Sequence, residues 1–254
     1  MQDPIRRFKE RARKRLRPTW QNLMRSEFGC VPLLETEGEA ANLLDFSELD
    51  FMLAFTNDGV GTKSMVAEAM SRLRPAKRRF YWRNIGSDVV AANTIDLTAV
   101  GATPLWLLDD IQIGLAEVLE DEEVVEGILD GLLEMCREER IGVTGGETAL
   151  MRDVVVQDQV TLSAAAIGIV RPRSRAILHT NLREGDVILG FPAPSLQTNG
   201  FTLARDIVVP LSDGYLTRLP SGRTLGEALL RRSVTYTREI MELLDAGVEI
   251  HYAS

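Results

Sequence analysis

The chain has 254 residues, 45% hydrophobic and 26% charged, a length and balance that support a sizeable core and exclude a disordered, collagen-like or membrane-embedded polypeptide. Its only cysteines, Cys30 and Cys136, rule out a disulfide scaffold and, with no signal-peptide pattern at the start, imply a reduced, cytoplasmic setting. The net charge of −8 hides an asymmetry, because residues 1–25 hold nine Lys/Arg against Asp3 and Glu10, leaving 20 cationic and 35 acidic residues in the remainder.

That basic arm, with only Phe8 and Trp20 as aromatic residues, reads as a solvated helix leading into the first domain, and nucleic-acid binding through residues 6–17 is the less favoured reading. Residues 51–56 form a short apolar run of strand character. It ends abruptly in Asn57-Asp58-Gly59-Val60-Gly61-Thr62-Lys63, and residues 64–73 are helix-compatible, giving the order strand, glycine turn, helix. A small-residue helix is expected over 86–100, stopped by Gly101 and Pro104, and a buried strand over 105–108 closing on Asp109-Asp110. Residues 121–140 carry the clearest amphipathic pattern, with Val124, Val125, Ile128, Leu129, Leu132 and Leu133 on one side. A brief strand at 141–144 leads into Gly145-Gly146-Glu147-Thr148, and a long strand follows at 160–170.

Residues 171–174 look like a boundary. The second unit is expected to open with a strand at 186–191 and a turn at 192–198, followed by helices near 199–209, 224–231 and 235–246. Alternating strands and helices indicate an α/β chain with domains at 1–170 and 171–254. The long apolar stretch over 89–108 is interrupted by Asp96, so no membrane span is expected.

With only His179 and His251, zinc chemistry and a Ser-His-Asp triad are disfavoured, and acidic side chains, hydroxyls and a few cations must carry any chemistry. An acidic body repels polyanions unless cations are placed locally. Of the 29 cationic residues only Lys9, Lys14, Lys63 and Lys77 are lysines, so Lys63, beside the glycine turn, marks a place where a compact ammonium was needed, or a chance occurrence. The glycines of Asp58–Lys63 allow close approach to a phosphate, although the spacing fits neither G-x-x-x-x-G-K-[ST] nor G-x-G-x-x-G, and a structural turn with an exposed lysine is an equal alternative. Asp96 is the single ionisable residue between Val89 and Leu108, so it is expected to be paired, capped or metal-bound. If Asp58, Asp96 and Glu147 converge, they make an oxygen-rich site for Mg²⁺, to which Asp109 and Asp110 could add.

The chain resembles aminoimidazole ribonucleotide (AIR) synthases, the phosphoribosylformylglycinamidine cyclo-ligases, and their superfamily of ATP-using enzymes. The resemblance runs from about Asp58 onward and rests on D-G-V-G-T-K with G-G-E-T, on Asp88-Val-Val-Ala-Ala, on Asp96-Leu97 with Gly101-Ala102 and Pro104-Leu105, and on Thr198-Asn199-Gly200-Phe201 with Leu203-Ala204-Arg205. It implies a ferredoxin-like N-terminal α/β domain whose mixed sheet dimerises, plus a second, apparently truncated α/β domain. It further implies a homodimer acting on a small-molecule substrate with ATP and Mg²⁺ as cofactors. Carried over by position, Asp58, Gly59, Val60, Gly61, Thr62 and Lys63, with Asp88 and Asp109, would hold the nucleotide. Asp58, Asp96 and Glu147 would hold Mg²⁺, Lys63 would serve catalysis, and Thr198, Asn199 and Gly200 would face the substrate.

Departures from the family pattern are Gln197 in place of a histidine, Ile95 before Asp96 in place of an asparagine, Leu150-Met151-Arg152 after G-G-E-T, and a weak glycine-rich match near residues 27–29. They keep two other readings open: a related superfamily ligase or small-molecule kinase acting on, for example, thiamine phosphate or selenide, and a non-catalytic nucleotide-binding dimerisation module.

Overall fold

A computed structural model describes residues 4–25, 30–36, 39–46 and 48–254; the weak match near residues 27–29 lies outside them. The basic arm is helical, with α1 spanning Pro4–Leu16 and a short α2 at Trp20–Met24. Two short strands follow, β1 (Cys30–Pro32) and β2 (Asn42–Phe46), then β3 (Met52–Gly59), α3 (Lys63–Leu73) and α4 (Arg78–Ala99). The sheet-bearing part of the chain is completed by β4 (Thr103–Ile113), α5 (Glu122–Glu139), β5 (Gly142–Leu150) and β6 (Val160–Val170).

The six strands form one mixed sheet in the order β1-β2-β3-β6-β4-β5. Every neighbouring pair is antiparallel except β4 and β5, which the α5 crossover makes parallel. The expectation of a mixed α/β sheet is met. The strand order differs from an all-antiparallel ferredoxin arrangement because α5 intervenes between β4 and β5, whereas β5 and β6 follow one another without a helix.

Along β6, alternate residues from Val160 to Val170 are buried and the intervening ones partly exposed, so the helices cover one face of the sheet. On the covered side α4 lies closest to the strands and packs along α5 through small residues. A Cβ on Gly131 would stand 1.9 Å from the Arg83 carbonyl, and one on Gly86 2.2 Å from that of Ile128. Ion pairs Arg79–Asp130 and Arg83–Glu134 flank this contact. The α5 N-terminus is capped by Asp121, whose carboxylate accepts the Glu123 and Val124 amides, in keeping with the acidic start read from the sequence.

The remainder of the chain contributes helices α6 (Phe201–Val208), α7 (Leu225–Leu229) and α8 (Thr237–Asp245), close to the expected spans. The strand expected at 186–191 is not formed. Val187, Ile188 and Leu189 are exposed, and nothing among the described residues pairs with this apolar segment, so its β-propensity finds no ladder. Phe201, Ala204, Val208, Leu229 and Leu230 instead join Val60, Met70, Tyr81 and Trp82 in a single core. No helix among the described residues is long and apolar enough to cross a membrane.

Candidate active site

The glycine turn sits where β3 gives way to α3. Gly59 lies so close to β6 that a Cβ would meet the Leu162 carbonyl at 2.8 Å, and Gly61 adopts φ +53°, a left-handed conformation that favours glycine. Asn93, buried within α4, pins the turn from below: its Oδ1 accepts the Asp58 amide at 3.1 Å, and its Nδ2 donates to the Asp58 carbonyl at 3.1 Å and to the Val89 carbonyl at 2.8 Å. The Asp58 carboxylate accepts the Gly59 amide at 2.7 Å.

Asp96 lies one turn further along α4. Thr56 donates its hydroxyl to the Asp96 carboxylate at 2.8 Å. Burial pushes Asp96 up to about 6, a rise that the Thr56 bond opposes and the nearby Asp58 charge reinforces. Asp58 and Asp96 therefore form an acidic pair on the helix-covered side of the sheet, with no cation neutralising Asp96 among the described residues.

The remaining acidic candidates do not join them. Asp58, Ala164, Asp109 and Gly146 share one rung of the sheet, while Gly59, Ser163, Asp110 and Glu147 share the next. Because directly paired residues project to the same face, Asp109 is on the side of Asp58 but two strands away, roughly 10 Å. Glu147 is on the opposite face and three strands from β3, roughly 14 Å. The expected convergence of Asp58, Asp96 and Glu147 is thus not found, and no group of three His, Cys, Asp or Glu able to hold a metal occurs among the described residues. On the open face, Ser163 and Gln112 each donate to Asp110 at 2.9 Å, and Glu147 is exposed beside them. On the covered face, burial raises Asp109, and burial followed by the Asp109 charge lifts the Cys136 thiol to about 11, leaving Cys136 an inert core residue.

Lys63 is the largest departure from expectation. It is not an exposed lysine: it is wholly buried, as is Asp88, and the two form an ion pair at 2.6 Å. The ammonium also donates to the carbonyls of Gln197 and Arg231, each at 3.0 Å, and sits 5.2 Å from the Phe201 ring centroid. Burial lowers the lysine and raises the aspartate from their ordinary values, and each is opposed by the charge of the other. Asp88 is accordingly engaged in the interior, where its second oxygen accepts the Ser233 amide at 2.7 Å.

Thr198, Asn199 and Gly200 form a turn that lies against the glycine turn, the Thr198 carbonyl standing 4.0 Å from where a Cβ on Gly61 would be. Thr198 is buried and Asn199 exposed, and Gly200, at φ +80°, starts α6. Sequence reasoning did not identify Thr56, Asn93 or Ser233. Asn93 had a visible signal, an amide within an otherwise small and apolar helical run, but Thr56 and Ser233 had none.

Residues 38–170 match the family described as AIR synthase related protein, N-terminal domain. The chain belongs to that family. Among its relatives, the phosphoribosylformylglycinamidine cyclo-ligase of Thermococcus kodakarensis is 38% identical over 220 residues, covering 85% of this chain and 59% of that protein. The protein of the same name from Methanosarcina mazei is 34% identical over 216 residues, 84% of this chain and 59% of that protein. The AIR synthase-like chain thus spans somewhat more than half the length of these curated relatives. A solved structure described as a HypE-HypF complex has the same overall fold, with a TM-score of 0.53 at 16% identity over 91% of this chain and 61% of that one.

Proposed function

We propose that the chain is an ATP- and Mg²⁺-dependent cyclo-ligase of AIR synthase type, converting formylglycinamidine ribonucleotide to aminoimidazole ribonucleotide. The observation that carries this reading is the Asp58–Asp96 pair beside a glycine turn, in a chain more than one third identical to a cyclo-ligase over most of its length. ATP would phosphorylate the formyl-amide oxygen, and a substrate nitrogen would then attack that carbon, releasing the oxygen as phosphate and closing the ring. Such a reaction depends mainly on positioning and charge stabilisation.

The donor set suits Mg²⁺, which takes one or two carboxylates and completes its shell with phosphate oxygens and water. Asp58 and Asp96 would hold it, and Glu147 would not unless it were brought from elsewhere. When bound, the ion would supply charge compensation for the phosphates. The chain's own residues do the rest: Gly59 and Gly61 keep side chains out of the turn, Asn93 fixes its backbone, and Thr56 orients the Asp96 carboxylate. Thr198–Gly200 would meet the acceptor, being next to that turn.

We also propose a homodimer formed through the uncovered sheet face, where Trp106 and Leu108 are exposed in line with Ile167 and Ala165 of β6. Incubation with ATP, Mg²⁺ and formylglycinamidine ribonucleotide should yield ADP, phosphate and aminoimidazole ribonucleotide in equal amounts. A folded preparation that binds Mg·ATP but yields no aminoimidazole product with this substrate would sink the cyclo-ligase reading in favour of a nucleotide-binding module or another ligase.

A further inference from the structure

We infer that Lys63 is a positioning residue, whose buried ammonium holds the Thr198–Gly200 turn in register against the Asp58–Thr62 turn. The inference rests on the proposal that these turns serve acceptor and nucleotide. An ammonium has three protons, and all three have acceptors: Asp88 Oδ2 at 2.6 Å, the Gln197 carbonyl at 3.0 Å and the Arg231 carbonyl at 3.0 Å. Two of these belong to separate loops of the C-terminal segment, one immediately before Thr198 and the other before Ser233. The face of the ammonium left over lies against Phe201, the first residue of α6, so the turn is gripped on both sides.

Asp88 completes the clasp. Its other oxygen takes the Ser233 amide at 2.7 Å, and one helical turn earlier Asn84 donates to the Leu230 carbonyl at 2.7 Å. The geometry also accounts for a lysine in a chain that otherwise prefers arginine. Three acceptors arranged around a point suit a compact ammonium, whereas a planar guanidinium at a site with no solvent exposure would displace one of the loops. Since Lys63 begins α3 directly after the glycine turn, the same residue that ends the nucleotide side anchors the acceptor side.

The test uses the double substitution Lys63→Met with Asp88→Asn, which leaves no buried charge unpaired and keeps an oxygen for the Ser233 amide. Hydrogen exchange at residues 196–201 and 230–234 is measured together with the Kd for Mg²⁺ and a non-hydrolysable ATP analogue, and with KM and kcat for formylglycinamidine ribonucleotide. Exchange in both segments should quicken at least tenfold and KM rise at least tenfold, with the analogue's Kd within twofold of wild type. Unchanged exchange in these segments, or a tenfold loss of nucleotide affinity with KM unaltered, overturns the inference; the latter would place Lys63 on a phosphate. Should the double variant not unfold cooperatively, Lys63→Arg carries the same test, because it retains the charge without the three-point geometry. A wild-type protein that binds no nucleotide defeats the proposed function, while the exchange measurement still decides whether Lys63 holds the turn.

Discussion

Asp96→Asn separates what the fold prefers from what the site requires. In wild type the folded state raises Asp96 from 3.8 to about 6, so it binds that proton more tightly than the unfolded chain does. A carboxyl raised in this way stabilises the fold least at high pH, and the deficit develops as pH rises from 3.8 through 6. At about 1.4 kcal/mol per pH unit, reduced by about a third for solvent screening of this part-exposed group, the ionised carboxylate costs the fold roughly 2 kcal/mol at pH 7.5 and roughly 0.7 kcal/mol at pH 4.5. Asparagine carries no charge and still accepts the Thr56 hydroxyl, so the variant should be more stable than wild type by about 2 kcal/mol at pH 7.5, with the gain shrinking to about 0.7 kcal/mol at pH 4.5. Urea denaturation at both pH values reads this difference, and adding Mg·ATP should reverse the order, because only wild type retains the second carboxylate. A variant less stable than wild type at pH 7.5, or a gain that does not change with pH, would refute the reasoning.

Gly131→Ala should destabilise by about 2 kcal/mol, since a Cβ 1.9 Å from the Arg83 carbonyl forces α4 and α5 apart and outweighs the roughly 1 kcal/mol gain in helix propensity. Gly226→Ala, which meets only the flexible Met70 side chain, should cost less, and equal urea midpoints for the two would contradict this packing argument. Glu227 accepts from Lys77, Arg74 and the Thr224 cap, and the bonds from Lys77 and Thr224 hold it down at about 2. Glu227→Gln should therefore lose about 1 kcal/mol at neutral pH, a difference that fades between pH 4.5 and 2 as the wild-type carboxylate is protonated; a difference constant down to pH 2 would count against it. Leu108→Arg should halve the mass seen by sedimentation equilibrium and lower the thermal midpoint towards a value independent of protein concentration, and a wild-type monomer would dismiss the dimer face altogether.

Elements whose pattern reports burial were the most legible in the sequence. The span 160–170 and the helix over 121–140 match β6 and α5 to within a residue, because alternation and helical periodicity persist along their whole length. β4 runs past the expected 105–108 to Ile113: Asp110 and Gln112 lie on the uncovered sheet face and read as loop, although strands pair on both sides of them. α4 begins at Arg78 instead of near 86 because its first two turns are held by arginines paired across to α5, a contact with no local signature. Within the site, Asp58 and Asp96 were legible as an acid beside a glycine turn and an acid in an apolar run. The opposite face of Glu147 was not, since it depends on strand parity and on a register shift between Leu107 and Leu108. Burial of Lys63 was equally hidden, because its two carbonyl acceptors lie 134 and 168 residues away.

The position of β6 has a consequence for how the chain is made. Of the six strands of this sheet it is the last in chain order, yet it lies at the centre, hydrogen-bonded to β3 on one side and β4 on the other. Until residue 170 leaves the ribosome, the hairpin-like group β1-β2-β3 and the β4-α5-β5 crossover have nothing to join them, and each exposes an edge that β6 will later cover. A nascent chain arrested before that point should engage a holdase chaperone along β3 and β4, and release by some dozens of further codons should end that engagement in a single step.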